Sequence, residues 1–209
     1  MAYYLTRHPA YAPRQYRISL VEGTGIACGA SGKAGGFFRD FSGEASPLQS
    51  FAVASLRQHR ELNALLDRRR QTRSAGAVVV DPYLFTHTLM AEAEKAGVRV
   101  VHARVTGIEC DGERPKAVQT SRGPITADTV IIAMGPWSGQ ASLLVRLPYR
   151  IPVSGYKGNS ILMSPLNPVR PQCLFIRTGE GVDQEGSNNG SEIYLFPRHN
   201  GQVYIWGPK

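Results

Sequence analysis

The chain has 209 residues, 42% of them hydrophobic, with a formal net charge of +8. That is enough apolar material for one large or two small globular domains. No apolar run reaches the ~18 residues that span a bilayer, and the start, MAYYLTRHPAYAPRQY, has no apolar core or cleavage site of a secretory leader. The three cysteines, Cys28, Cys110 and Cys173, are odd in number and lack ligand spacing, which argues against a disulfide framework or a zinc site and for a reducing, cytoplasmic compartment.

In chain order, Ala2 to His8 reads as the end of a helix stopped before Pro9. Ile18 to Val21 is a buried strand that ends on Glu22. A loop of small residues follows, through Gly23, Gly25, Ala27, Gly29 and on to Gly36. An acid at a strand end, followed by a loop nearly free of side chains, suits a dinucleotide site. The carboxylate takes ribose hydroxyls, and the backbone approaches phosphate or a flat ring. The glycine-rich turn of such a unit lies roughly 20 residues before the ribose acid. Counting back from Glu22 reaches Met1, and no G-x-G-x-x-G is there. The expectation is that the first strand and its loop are missing, or never existed.

Ser46 to Arg73 reads as a helix, with Ser46 as N-cap, Pro47 at the first position and Gln49 completing a capping box. Leu48, Phe51, Ala52, Leu56, Leu62, Leu65 and Leu66 recur close to its period. Its far end is basic and includes Arg68, Arg69 and Arg70. No aromatic residues interleave with these arginines and no nucleic-acid motif accompanies them, so they read as a solvated helix end, not a nucleic-acid surface.

After the apolar run Val78 to Val80, Asp81-Pro82 opens a helix with a stripe of Phe85, Leu89, Ala93 and Ala96, stopped by Gly97. Strands follow at Val98 to Ala103 and Val105 to Cys110, with a small hairpin at Lys116 to Thr126. Asp128 to Met134 is a continuous apolar run, as in a parallel strand covered on both faces. From about Tyr149, Pro and Gly become frequent and strands shorten, with Asn200-Gly201 joining the last two. The expected fold is α/β: an incomplete Rossmann-like domain over residues 1–148, built on a largely parallel sheet with helices, then part of an antiparallel β domain over 149–209.

The segments LVEGTGIACGASGKAGGFF, DPYLFTHTLMAEAEKAGVRVVHARVTGIE and ADTVIIAMGPWSG, in that order, resemble the FAD-dependent oxidoreductases of the D-amino-acid oxidase type, and among them an intracellular eukaryotic branch. The resemblance implies FAD as cofactor, with Glu22 on the adenosine ribose. Ala30, Ser31 and Gly32, then Ala34, Gly35 and Gly36, would pass the pyrophosphate and flavin, with Lys33 between them facing the flavin or a phosphate. Val105 would meet the adenine through its backbone, and Ala133 and Gly135, with Trp137 close by, would form a second dinucleotide contact. Residues from Tyr149 on match the sheet that covers the flavin face. The implied reaction is oxidation of an amine or amino-acid-like small molecule. The implied departures are the absent pyrophosphate loop, an absent C-terminal closing segment and a short link between Arg73 and Val78, all of which read as a fragment. The alternative is a non-catalytic fragment or adaptor that keeps the fold for trafficking or partner contacts.

No residue stands out as catalytic. Ser31 lacks a G-x-S-x-G elbow. His59 and His87 lie in helices without a partner at metal spacing, and His102 alternates along a strand without a functional signal, so no metal site is expected. Trp137 fits core packing as well as a flavin-side role. Arg198 ends a strand of the later sheet, where it serves either a substrate carboxylate or as a turn-flanking charge. The oligomeric state is not encoded in any of these signals.

Overall fold

The computed structural model describes residues 1–39, 47–66, 71–74, 77–178 and 191–207. The chain divides into two compact units, each assembled from separated stretches: 1–33 with 83–156, and 34–82 with 157–209. The last crossing between the two units falls at 156/157. The surprise is that residues 34–82 group with the C-terminal strands.

In the first unit, α1 (Ala2–Arg7) leads through turns to β1 (Ser19–Glu22). β1 pairs in parallel with β5 (Arg99–His102), from Ser19 opposite Arg99 to Glu22 opposite His102. A parallel pair needs a long crossover, and α4 (Pro82–Lys95) enters β5 at the end of one. α4 has the expected bounds; its Met90 and Ala93, one turn apart, are buried. β6 (Val105–Asp111), β7 (Arg114–Thr120) and β8 (Ile125–Thr126) form an antiparallel meander that places Ala117 and Val118 in the core. A short 3-10 helix (Gly135–Gln140) and α5 (Ala141–Val145) follow.

The apolar run 128–134 is not a strand. Ile131 and Ile132 are 50% and 36% exposed, and the run pairs with no strand among the described residues. Extended backbone becomes a strand only where a neighbour takes its N–H and C=O groups. The run is as hydrophobic as a covered strand, but the hydrogen-bonding partner such a strand presupposes is not among the described residues. Among the described residues the parallel strand pairing is that of β1 with β5.

In the second unit, β2 (Phe37–Arg39), β4 (Ala77–Val80) and β3 (Gln71–Ser74) form an antiparallel sheet in that order. The helix α3 (Gln49–Leu66) is shorter than the expected Ser46–Arg73. Its expected last turn is β3, whose backbone groups bond to β4 instead. Ser46 and Arg68 to Arg70 lie outside the described residues. α3 buries Leu56 and Leu62.

The C-terminal strands β9 (Asn159–Met163), β10 (Leu174–Thr178), β11 (Ser191–Pro197) and β12 (Val203–Gly207) form the expected antiparallel sheet, in the order β10-β11-β12-β9. Register places Phe175, Tyr194, Phe196, Tyr204 and Trp206 on one face. That face supplies Phe196 and Tyr204 to a core with Val79, against which Phe37, Cys173, Tyr194 and Trp206 pack. Phe37 stacks on Phe196 with ring centroids 4.7 Å apart and planes within 4°. This contact explains why β2, early in sequence, folds with the C-terminal strands: stacked aromatic pairs add about 0.5–1.5 kcal/mol beyond their burial.

Candidate cofactor-binding site

The parallel strand β1 delivers Glu22 to the point where the chain turns. Its Oε1 accepts hydrogen bonds from the Thr24 N–H at 2.9 Å, the Thr24 hydroxyl at 3.0 Å and the Gly25 N–H at 3.3 Å. One carboxylate oxygen thus ties down the turn, while Oε2 makes none of these bonds. A side chain fixed through one oxygen, with the other open, is preorganised to accept from a ligand diol. The Glu22 carbonyl accepts from Ala103 N–H at 3.0 Å, so residues 103–105 run beside the turn. Val105 starts β6 immediately beyond, half-buried.

The small residues are required by close approach as well as by any ligand. A β-carbon at Gly32 would stand 2.0 Å from the Ala27 carbonyl oxygen. Ala27 itself has a left-handed φ of 59°. This folds 27–32 back on itself and leads into the single turn α2 (Ala30–Lys33), with Ala30, Ser31 and Lys33 exposed. A β-carbon at Gly29 would lie 3.4 Å from Trp137 Cζ3. The structure therefore brings Trp137 onto the small-residue turn; its indole stays 52% exposed. Gly135 has φ of 55° and opens the 3-10 helix that carries Trp137. Ala133 sits exposed in the unpaired run just before it.

In the second unit the same segment continues as Ala34, Gly35 and Gly36. Gly36 has φ of 77°, and a β-carbon there would sit 2.0 Å from the Val80 carbonyl oxygen. Only glycine meets both conditions. Arg198 is in this unit. Its guanidinium, with a side chain 9% exposed, lies 3.4 Å from Asp81 Oδ2 and donates to the Ala34 carbonyl at 3.4 Å. Both of these hydrogen-bond partners are protein groups. Sequence reasoning reads Asp81 only as opening a helix with Pro82 and misses the Asp81–Arg198 pair; 117 residues separate them and no local signal connects them.

Among the described residues no group of three His, Cys, Asp or Glu side chains is placed to hold a metal ion. No helix among them is long and apolar enough to cross a membrane.

The sequence model of the family described as "FAD dependent oxidoreductase" (DAO) matches residues 69–209. Glu22 to Gly36 stand outside that stretch. The chain is 48% identical over 95 residues to a glycine oxidase of Pseudomonas aeruginosa, covering 46% of this chain and 22% of that protein. It is 42% identical over 79 residues to D-amino acid dehydrogenase 2 of Mesorhizobium japonicum, covering 36% of this chain and 19% of the relative. These matches thus span about a fifth of each relative's length. The fold is similar to that of glycine oxidase from Geobacillus kaustophilus, with a TM-score of 0.76 at 18% identity, covering 99% of this chain and 67% of that one.

Proposed function

Because the chain belongs to the DAO family of FAD dependent oxidoreductases, we propose that it binds FAD and serves the oxidation of an amino acid or a related small amine. The observation that carries this reading is Glu22: a carboxylate at the end of a parallel strand, held through one oxygen by its own turn and open at the other. The residues present fit the cofactor. Glu22 would accept from the ribose hydroxyls, and the backbone from Ala30 through Ser31, Gly32 and Lys33 would offer its unobstructed surface to the pyrophosphate. Val105 would border the adenine, and Ala133, Gly135 and Trp137 would border the dinucleotide from the 3-10 helix side. The resemblance also implies a flavin contact for Ala34, Gly35 and Gly36, which belong to the second unit. When bound, the flavin supplies the redox chemistry by accepting a hydride from the carbon beside the substrate's amine; the protein's share is binding, orientation and exclusion of water.

A second reading is favoured by the exposed, unpaired Ile131 and Ile132. In it the chain keeps the fold for contact with a partner and turns nothing over. Incubating the purified chain with FAD, desalting it and recording the absorbance spectrum tests both. Stoichiometric flavin retained and bleached by added glycine or D-alanine without oxygen supports the oxidoreductase reading. Flavin retained but unaffected by a panel of amino acids supports the second. No retained flavin removes the cofactor proposal for this chain.

A further inference from the structure

We propose that Arg198 is a positioning residue that holds the tripeptide Ala34-Gly35-Gly36 in place from Asp81. Only its consequence for flavin rests on the FAD reading above. The loop geometry stands independently of it.

The tripeptide is fixed at both of its outer carbonyls. Gly36 C=O accepts from the Val80 N–H at 2.9 Å. Ala34 C=O accepts from an Arg198 terminal nitrogen at 3.4 Å, a long bond made by a charged donor. Between them, a β-carbon at Gly35 would lie 3.0 Å from Tyr204 and 3.3 Å from Phe196, so the backbone rests on the aromatic face of the C-terminal sheet. Arg198 is itself immobilised. Its N–H donates to the Gln202 carbonyl at 2.7 Å, and its carbonyl accepts from Gly201 N–H at 3.0 Å, in the β11–β12 hairpin. The guanidinium carbon sits 5.4 Å from the Tyr204 ring centroid.

The charge arithmetic supports the assignment. Arg198 and Asp81 have side chains only 9% and 10% exposed. A buried guanidinium is tolerated when a carboxylate offsets it, and removing either partner strands the other's charge. Asp81 directly follows Val80, so the same short stretch anchors Gly36 through its backbone and Ala34 through the Arg198 relay. Arg198 Nε is buried and has no partner among the described residues. The side chain keeps this unsatisfied donor while spending its terminal nitrogens on Asp81 and Ala34. A planar fork can serve two acceptors at once; a lysine ammonium cannot present the same fixed pair of directions.

The test is hydrogen exchange, read by mass spectrometry on the full 209-residue chain carrying Arg198→Lys, Arg198→Ala or Asp81→Asn, with and without FAD. Arg198→Lys keeps a cation opposite Asp81 and gives up the second arm. Its amides at residues 35–37 are expected to exchange about tenfold faster, while β9–β12 keep their protection and the melt does not move. A purely structural ion pair would instead lower the melt and loosen the whole sheet together. Unchanged exchange at 35–37 in folded Arg198→Lys overturns the proposal, even if Arg198→Ala fails to fold. If the unaltered chain takes up no FAD, the FAD reading fails and the exchange data still decide the role of Arg198. If it does bind, Arg198→Lys is expected to weaken FAD about tenfold, and unchanged affinity with a loosened tripeptide overturns the link to flavin.

Discussion

The indole of Trp137 lies against the backbone of Gly29, close enough that a β-carbon there would be 3.4 Å from Cζ3. This spacing sets a size limit at position 29. Gly29→Ala is expected to cost less than about 1 kcal/mol, because the half-exposed indole can yield a few tenths of an ångström. Gly29→Leu must displace the ring and should cost about 1–3 kcal/mol. Urea denaturation followed by tryptophan emission separates the two; equal midpoints would show that Trp137 does not rest on the turn.

At Gly32 the obstacle is the Ala27 carbonyl oxygen, 2.0 Å from where an alanine methyl would sit. Backbone cannot step aside as a side chain can. Gly32→Ala should lose about 1–3 kcal/mol of stability, and the loss should persist when it is measured against Ala27→Gly instead of the parent, since the oxygen remains. A melt of the double variant matching that of Ala27→Gly alone would refute the close approach.

Glu22 does two jobs that substitution can separate. Glu22→Gln keeps a carbonyl oxygen to cap the Thr24 and Gly25 donors, whereas Glu22→Ala leaves them to water. The alanine variant should therefore lose about 0.5–1.5 kcal/mol more stability than the glutamine variant. Both should bind FAD more weakly, by about 1–3 kcal/mol. Calorimetric titration with FAD beside a denaturant curve measures both; undiminished FAD affinity in Glu22→Ala would end the ribose assignment.

Burial raises the Cys173 thiol above its ordinary pKa, while Cys28 and Cys110 are exposed. Only the thiolate reacts readily. With iodoacetamide at about pH 8.5, near the ordinary thiol value, Cys173 should be the last of the three to be modified, and denaturant should abolish the difference. Peptide mass mapping over time provides the check; early labelling of Cys173 in the folded chain would contradict its packing against the aromatic core.

Glu92 is held below the usual carboxylate range, first by the hydrogen bond from Lys95 Nζ at 2.7 Å, with Arg7 adding a weaker attraction. A lowered carboxylate pKa means the pair's contribution is present above the unfolded-state value and disappears as pH falls through the folded-state one. Its solvent access keeps the effect small and salt-sensitive. The melting difference between the parent and Lys95→Ala should therefore shrink on acidification and in high salt. A difference that persists at low pH would implicate something other than this ion pair.

The sequence makes legible whatever depends on local pattern. The α4 helix with its Gly97 stop, the Asn200-Gly201 hairpin and the strand that ends on Glu22, half-buried where the sequence predicts a buried one, are present. Hydrophobicity without a pairing partner misleads at 128–134, because a strand is a property of two segments. Gln71 to Ser74 misleads in the opposite sense: its polar residues carry no helix stop, and only the pairing with β4 makes it a strand. In the site, the small-residue loop is visible in the sequence, but the oxygen that forbids a side chain at Gly32, the indole over Gly29 and the Asp81–Arg198 pair are not. Each joins residues whose proximity is created by the fold.

The interleaving of the two units has a bearing on synthesis at the ribosome. Residues 1–33 lack their packing partners until 83–156 have emerged, and residues 34–82 wait longer, for the strands that end at 207. Neither unit can be cut out as one continuous piece, and a nascent chain stopped before β12 would hold Phe37 and Val79 without Tyr204. Contacts so distant along the chain close large loops before they are rewarded, which slows folding. The order of emergence thus makes the early aromatic strand dependent on a hairpin translated long after it.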